Sequence, residues 1–253
     1  MDFVIRNGLI HDGTGAPARR TDVLLNNGRI EAVGLNLQTP PGTTTVNAEG
    51  KTLLPGLFDL HTHVNYPTVG GSTQDWGKNL KAYLRAGITS VADFSTYPET
   101  YEPVRRLIAS GTWPGPRVHF AVRFSTPGGH GVEGGRGDFF TNEVLTPQQA
   151  HAAMARVLPY KPDVIKVFTD GWRYAQAPDM TSMELETLKA IVEDAHAAGL
   201  PVLTHTVTLA KGKIAARAGV DAIMHGIQDQ PVDDELIRLM KENHVAYGPT
   251  AAV

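Results

Sequence analysis

The chain of 253 residues contains no cysteine, so any metal ligands must be nitrogen or oxygen atoms. The same absence excludes disulfide scaffolds and cysteine nucleophiles. No apolar run approaches the roughly 18 residues of a membrane span, and the first residues lack the apolar stretch of a signal peptide. The net charge of −3 offers no basic surface for nucleic acid or for an anionic membrane. We therefore expect a cytoplasmic protein without a nucleic-acid or membrane partner.

Hydrophobic residues are plentiful by comparison. They make up 42% of the chain and charged residues 19%, a composition that can build a sizeable core. Ten histidines are also present, and they are the first candidates for metal ligands in a chain without thiolates.

Residues 1–54 are predicted to form the N-terminal part of a small β-sandwich. Asn7-Gly8 and Asn27-Gly28 each lie between two short apolar runs, which is the pattern of a β-hairpin. A further strand fits residues 44–46. We expect these strands to form a small antiparallel sheet.

Residues 55–253 show a different pattern, in which short apolar runs alternate with helical stretches. Gly87, Gly199 and Gly219 stand where helix C-caps belong. Repeated strand–helix units predict an α/β fold with a parallel sheet, here a (β/α)8 TIM-type barrel with seven of its eight strands present. The seven predicted strands are 57–60, 88–92, 118–122, 164–168, 202–203, 222–224 and 245–247.

The first chemical signal is the sequence PGLFDLHTH at 55–63. Side chains alternate between the faces of a strand, so His61 and His63 point the same way. If that way is the barrel interior, one strand offers two imidazoles to one divalent ion. Asp59 would then orient a ligand or merely cap a turn. Two incidental polar histidines at a strand end remain the alternative.

The second signal is Lys166 in the apolar strand VIKVF at 164–168. A buried lysine is costly unless it is paired or neutral. A neutral amine can capture CO2 as a carbamate, which acts like a bridging carboxylate. The alternative is a lysine whose amine reaches solvent at an exposed strand edge.

The third signal is the placement of His205 and His225 directly after two later predicted strands. One histidine there is usually structural, but four histidines and a buried lysine at strand ends together favour a metal site. His130 lies on the glycine-rich loop after the third strand, where it contacts substrate or belongs to an ordinary surface loop. Asp93 ends the second strand as a ligand-orienting residue or a helix cap. Other residues without supporting context are treated as structural or as loop: His11, His119, His151, His196, His244, and the loop residues Trp172, Arg173 and Tyr174, which could line a pocket.

With these motifs the sequence resembles the amidohydrolase superfamily, in its imidazolonepropionase-like and prolidase-like branch. The resemblance covers essentially the whole chain. Its matching features are the N-terminal β segment, PGLFDLHTH at 55–63, GGHG at 128–131, VIKVF at 164–168 and THTVTLAKGKIAARAGVDAIMHG at 204–226.

The resemblance implies a hydrolase that uses two divalent metal ions, commonly zinc, to cleave an amide-type bond of a small-molecule substrate. His61 and His63 would bind one ion, His205 and His225 the other, and carboxylated Lys166 would bridge them. A metal-bridging hydroxide would attack the carbonyl, with His130 in contact with the substrate. Mononuclear deaminases of the superfamily lack the bridging lysine, so Lys166 favours acyl-bond hydrolysis. A deaminase and a non-catalytic scaffold of the same fold stay open as alternatives.

One departure from the family pattern concerns the eighth strand. The family places an aspartate after it, as a metal ligand and proton shuttle, and this sequence has no counterpart. An open barrel exposes an unpaired edge and apolar surface. We therefore expect a C-terminal remainder or a second polypeptide to complete the barrel and to be needed for activity. A homo-oligomer is also compatible with the sequence.

Overall fold

A computed structural model describes residues 2–64, 75–132, 140–171 and 181–250. The chain forms two compact units, Met1–Leu57 and Phe58–Val253. The division into domains after residue 54 stays a prediction. Within the described ranges, no helix is both long and apolar enough to cross a membrane.

The first unit contains one five-stranded sheet. Strands β1 and β2, and likewise β2 and β3, pair antiparallel, whereas β4 and β5 both run parallel to β1. The expected antiparallel sheet is therefore confirmed for β1, β2 and β3, and the parallel strands β4 and β5 make the whole sheet mixed. Its strands are β1 (Phe3–Ile10), β2 (Arg19–Asn26), β3 (Arg29–Gly34), β4 (Thr44–Asn47) and β5 (Thr52–Leu53).

The hairpin predicted at Asn7-Gly8 is wrong, because β1 runs straight through it with a bulge. Asn7 takes a left-handed φ of 65°, and its backbone N–H donates to the Asp22 carboxylate at 3.1 Å. Arg6 binds the same carboxylate at 2.8 Å. A residue of the neighbouring strand therefore holds a turn-prone pair inside a strand. The hairpin at Asn27-Gly28 is correct, with φ of 50° and 73° as a type I′ turn requires.

The second unit is a curled sheet of parallel strands with helices, the TIM-type barrel architecture that the sequence predicted. The seven predicted strands all form, in the spatial order β13-β12-β11-β10-β8-β7-β6, and a short β9 pairs with β8. The strands are β6 (Leu57–Thr62), β7 (Ile88–Asp93), β8 (Arg117–Ser125), β9 (Asn142–Glu143), β10 (Val164–Phe168), β11 (Val202–His205), β12 (Ala222–Met224) and β13 (Ala246–Gly248).

Helices connect these strands, and some of them begin or end at conventional capping residues. The Asp75 carboxylate accepts from the backbone N–H of Lys78, and Thr146 with Gln149 forms a capping box. Gly219 ends a helix in the left-handed conformation, with φ of 77°. The helices are α1 (Trp76–Arg85), α2 (Tyr101–Ala109), α3 (Pro147–Val157), α4 (Leu185–Ala197), α5 (Leu209–Ala218) and α6 (Asp234–Glu242).

The alternation of side chains along β10 shows where the core lies. Ile165 and Val167 belong to the large apolar core that includes residues of the helices. Val164 belongs to a small second cluster with Phe94 and Ala121, in the barrel interior. Because alternate residues share a face, Lys166 points into the interior with Val164. The fold therefore presents the lysine to the inside of the barrel.

Candidate active site

His61 lies between two other imidazoles. Its ring centroid is 5.7 Å from that of His63 and 4.7 Å from that of His225, which follows β12. The Asp59 carboxylate accepts from the backbone N–H of His61 at 3.2 Å, a local turn-like contact. His63 is itself exposed. One histidine of the motif, His61, is thus a direct neighbour of a residue more than 160 positions further along the chain.

His205 and His225 are buried at the ends of two adjacent strands, with ring centroids 4.6 Å apart. His225 has a left-handed φ of 78°, a conformation that costs a non-glycine residue of order 1 kcal/mol or more. Its backbone N–H donates to the Gly248 carbonyl, and its Nδ1 lies 2.8 Å from the Thr250 hydroxyl. These contacts hold the imidazole against His205.

The glycine-rich loop brings His130 into the same cluster. A Cβ at Gly129 would lie 2.5 Å from the Thr126 hydroxyl oxygen, and one at Gly131 would lie 2.7 Å from the ring of Phe168. Only glycine permits this close packing. The His130 ring is consequently 4.3 Å from the His205 ring. Five imidazoles thus form a continuous series, His63, His61, His225, His205 and His130.

Lys166 lies beside this series and is only 1% exposed. Its Nζ is 4.9 Å from the Phe94 ring centroid, and it has no hydrogen-bond partner among the described residues. Burial, followed by the positive charge of Arg123, lowers the pKa of Lys166 well below its usual value. An uncharged amine is therefore favoured there.

The buried histidines are also held neutral. Burial, and secondarily the neighbouring Lys166, lower the pKa of His225 to about 3 and that of His61 further still. Burial likewise lowers the pKa of His205 well below its ordinary value. Neutral imidazole is the form that binds a metal ion.

Two buried carboxylates position the loops that follow ligand candidates. The Asp93 Oδ1 accepts from the backbone N–H of Val64 at 3.0 Å and from Ser95. Burial raises the pKa of Asp93 to about 6, against the opposing effect of these hydrogen bonds. Asp170 Oδ2 accepts from Thr208 at 2.7 Å, which ties down the loop after His205. Of these two, sequence reasoning missed Asp170.

Arg123 is a second functional candidate that sequence reasoning missed. It is 3% exposed, on β8, and directly beside Lys166 in the sheet register. The local signal was a charged residue directly after the predicted strand 118–122, and its meaning depends on its register with Lys166.

Several other candidates lie away from the cluster or outside the described residues. Trp172, Arg173 and Tyr174 lie outside the described ranges. His151 and His196 contact the carboxylates of Asp194 and Asp221 at 2.8 and 2.9 Å. These two histidines are exposed on helices.

The nitrogen atoms of these side chains are suitable ligands for divalent metal ions, and two of them are buried. Nδ1 of His61 and Nζ of Lys166 are buried without hydrogen-bond partners among the described residues, where such groups cost free energy unless something binds them. Within the described ranges, no three His, Asp or Glu side chains form a ready-made metal site, and the rings instead contact each other at oblique angles. Four imidazoles and a lysine are nevertheless the nitrogen ligands that a chain without cysteine can offer.

Comparison with known proteins identifies the family. The sequence profile of the Amidohydrolase family matches residues 52–252, most of the chain. The chain belongs to the Amidohydrolase family. Among curated relatives, a dihydropyrimidinase of Rattus norvegicus is 34% identical over 103 residues, and a dihydroorotase of Geobacter metallireducens is 33% identical over 92 residues. These alignments cover 38% and 36% of this chain, and 20% and 22% of the relatives' lengths.

Solved structures share the fold over almost the whole chain. A Xaa-Pro dipeptidase with bound methionine superposes with a TM-score of 0.82 at 23% identity, over 100% of this chain and 67% of that one. A putative prolidase from Bifidobacterium longum gives 0.77 at 25% identity, over 95% of this chain and 57% of that one. This amidohydrolase chain thus matches about three-fifths to two-thirds of these structures.

Proposed function

We propose that this amidohydrolase is a binuclear metal-dependent hydrolase that cleaves an amide-type C–N bond of a small-molecule substrate. The observation that carries the proposal is the approach of His61, His225 and His205 to one another beside Lys166, inside the sheet at its carboxyl end. Barrel enzymes keep their active sites at this end. Buried neutral nitrogen atoms carry lone pairs that cannot satisfy one another, and a bound cation would stabilise them.

The proposed ligand set contains five side chains. His61 and His63 would hold one ion, His205 and His225 would hold the second, and carboxylated Lys166 would bridge them. When bound, two divalent ions such as zinc would polarise the scissile carbonyl and bring the pKa of a water molecule to about 7. The buried walls formed by Phe94 and Phe168 limit the access of bulk water to Lys166.

His130 is proposed to contact the substrate. It is partly exposed, and its ring stands edge-on to Phe168 at 4.9 Å and close to His205. The Ser125 hydroxyl donates to the His130 carbonyl at 2.7 Å, which fixes the loop. A neutral or protonated imidazole in this position can donate a hydrogen bond to a substrate oxygen.

The proposal includes a companion strand and helix that cover the two edges of the sheet, as a further part of the polypeptide or as a second one. On β6, Phe58 and Leu60 are 64% and 65% exposed. Beside β13, Val232, Ile237 and Tyr247 line an apolar groove of about 560 Å³. No described strand pairs with the outer edge of β6 or β13. A β-strand followed by an amphipathic helix would satisfy both edges and cover these apolar side chains.

The experiment for the hydrolase assignment is a screen of N-acyl amino acids, dipeptides and cyclic amides with the zinc- or manganese-loaded protein, isolated together with its companion unit. Wild-type protein is compared with His61→Ala and Lys166→Ala, and with His196→Ala as a control at an exposed histidine. We expect hydrolysis by the wild type and the control alone. Ammonia release that tolerates Lys166→Ala would instead indicate a mononuclear deaminase, and a function that survives both site variants would indicate a scaffold.

The experiment for the companion unit is hydrogen exchange of the backbone in the protein as isolated from its host. We expect β6 and β13 to be protected when a companion is bound and to exchange rapidly after its removal. Protection that depends only on the concentration of this chain would indicate a second copy instead. Rapid exchange of both edges in the active protein would contradict the companion.

A further inference from the structure

Arg123 is a second buried cation inside the barrel. It is directly opposite Lys166 in the register of β8 and β10, and side chains at paired positions of parallel strands leave the same face. Neighbouring strands are about 4.8 Å apart, so the two side chains begin next to each other. The structure thus places two basic residues side by side where burial is nearly complete.

The guanidinium of Arg123 is fixed in place. Its Nη2 donates to the Gly131 carbonyl at 3.1 Å. Its Cζ lies 4.3 Å from the ring centroid of Phe140 and 4.8 Å from that of Phe168, the ring that Lys166 Nζ also approaches at 5.6 Å. The loop glycine Gly131 makes this packing possible, since a Cβ there would lie 2.9 Å from Nη2. Such a side chain has little freedom to swing away.

The positive charge of Arg123 determines which charge on Lys166 is favoured. Arginine stays protonated in proteins, so its charge is permanent. A neighbouring lysine ammonium would be repelled, whereas an anion on the same lysine would be attracted. Asp93 is a buried carboxylate whose interaction with Arg123 is weaker than its own hydrogen bonds, since its Oδ1 accepts from Val64 and Ser95.

We propose that Arg123 is a positioning residue whose fixed positive charge stabilises the carbamate of Lys166. This inference rests on the proposed function, which requires that carbamate. In the step concerned, the amine lone pair of Lys166 forms a bond to the carbon of CO2, one C=O π pair moves onto oxygen, and the nitrogen loses one proton to solvent. The product is an anion next to Arg123, so a neutral amine beside a fixed cation becomes the anionic partner of an ion pair.

The test measures carbamate directly, without metal and without substrate. Protein is equilibrated with 13C-labelled bicarbonate, and the carbamate resonance is followed by 13C NMR as the bicarbonate concentration rises. Lys166→Ala identifies the resonance, which must be absent in that variant. Arg123→Gln removes the charge but keeps an amide donor for the Gly131 carbonyl, and Arg123→Lys keeps the charge.

Arg156→Gln is the matched control. Arg156 lines the same cavity as Arg123, but it is exposed and donates to the Asn142 side chain at 2.8 Å. The control therefore makes the same change of charge nearby, without touching a neighbour of Lys166.

We expect Arg123→Gln to need about tenfold more bicarbonate for half-maximal labelling, as for loss of one close opposite charge. Arg123→Lys should recover most of that loss, and Arg156→Gln should match the wild type. Equal labelling of Arg123→Gln and wild type would overturn the role of Arg123 but leave the bridging lysine intact. If Arg123→Gln does not fold, Arg123→Met serves as the uncharged variant. No resonance in the wild type would overturn both this inference and the bridging lysine of the proposed function.

Discussion

The centre of the parallel sheet and its two edges differ in how their faces are covered. On the central strand β10, Ile165 and Val167 are fully buried on the outer face and Lys166 on the inner face. On the edge strand β6, Phe58 and Leu60 face solvent instead. Helices cover the outer side of the centre, whereas no described element covers these residues of β6.

The difference separates what stabilises the fold from what completes it. Ionisable groups can be buried on the inner face of the centre because apolar packing on the outer face offsets their desolvation. The edges contribute His61 and His63 to the site but little to the core. The same type of substitution should therefore have a much larger effect on activity or stability at a central position than at an edge or exposed position.

The largest expected effect is on activity. His205→Ala removes an imidazole at the end of a central strand and should lower kcat/KM by about 10³-fold, roughly 4 kcal/mol of transition-state stabilisation. His196→Ala, at an exposed helix position paired with Asp221, should leave kcat/KM within about twofold. Steady-state kinetics of the metal-loaded variants measures both. Similar losses of kcat/KM in the two variants would contradict a catalytic site at the centre of the sheet.

The next largest effect is on stability. Ile165→Ala deletes methyl groups from a fully buried position and should lower the free energy of unfolding by about 3 kcal/mol. Leu60→Ala, at an exposed edge position, should cost less than about 0.5 kcal/mol in the isolated chain. Urea unfolding at equilibrium compares the two. A large cost for Leu60→Ala would mean that the β6 edge is covered in solution.

Alanine substitutions at two glycines test how tightly the glycine-rich loop packs over the centre of the sheet. Gly131→Ala combines a left-handed φ of 95° with a steric clash on Phe168, and should cost about 2 kcal/mol. Gly42→Ala has a similar φ of 84° but nothing within 4 Å, so about 1 kcal/mol is expected. Thermal unfolding gives both values. An equal cost would show that packing over Phe168 adds no constraint.

The pH dependence of stability also distinguishes the centre. In metal-free protein, His225 has a pKa of about 3, against 6.5 when unfolded, so the unfolded state binds more protons between these values. Stability should therefore fall as pH falls below 6.5, by ~1.4 kcal/mol per pH unit for each such histidine. Asp93 acts oppositely, because its pKa is raised to about 6. As pH falls from 6 to 3.8, the Asp93 carboxylate is protonated in the folded state, and the destabilisation caused by its buried charge is progressively lost.

Denaturant unfolding from pH 7.5 to 4 checks this account. His225→Gln should flatten the decline, whereas Asp93→Asn should leave it steeper. A decline that persists in full in His225→Gln would place its origin elsewhere.

Sequence reasoning predicted most of the fold because each strand and helix carries a local signature. The predicted strands at 164–168 and 222–224 match the structure residue for residue. Asn7-Gly8 was misread because a turn and a bulge have the same local sequence, and only Asp22 on the next strand decides between them.

The candidate site was predictable where residue type and strand position suffice. His61, His205 and Lys166 were found this way, and their roles as ligands stay predictions. Arg123 was missed because its meaning depends on register with Lys166, which no local pattern gives. The strained backbone of His225 and the loop contacts of Asp170 are likewise set by tertiary packing.

Metal analysis of the protein purified from its host tests the central claim most directly. We predict about two divalent ions per chain in the wild type and a clear loss in Lys166→Ala and His205→Ala, with His196→Ala unchanged. A folded wild-type protein that binds no divalent metal, before or after incubation with zinc or manganese, would contradict the account.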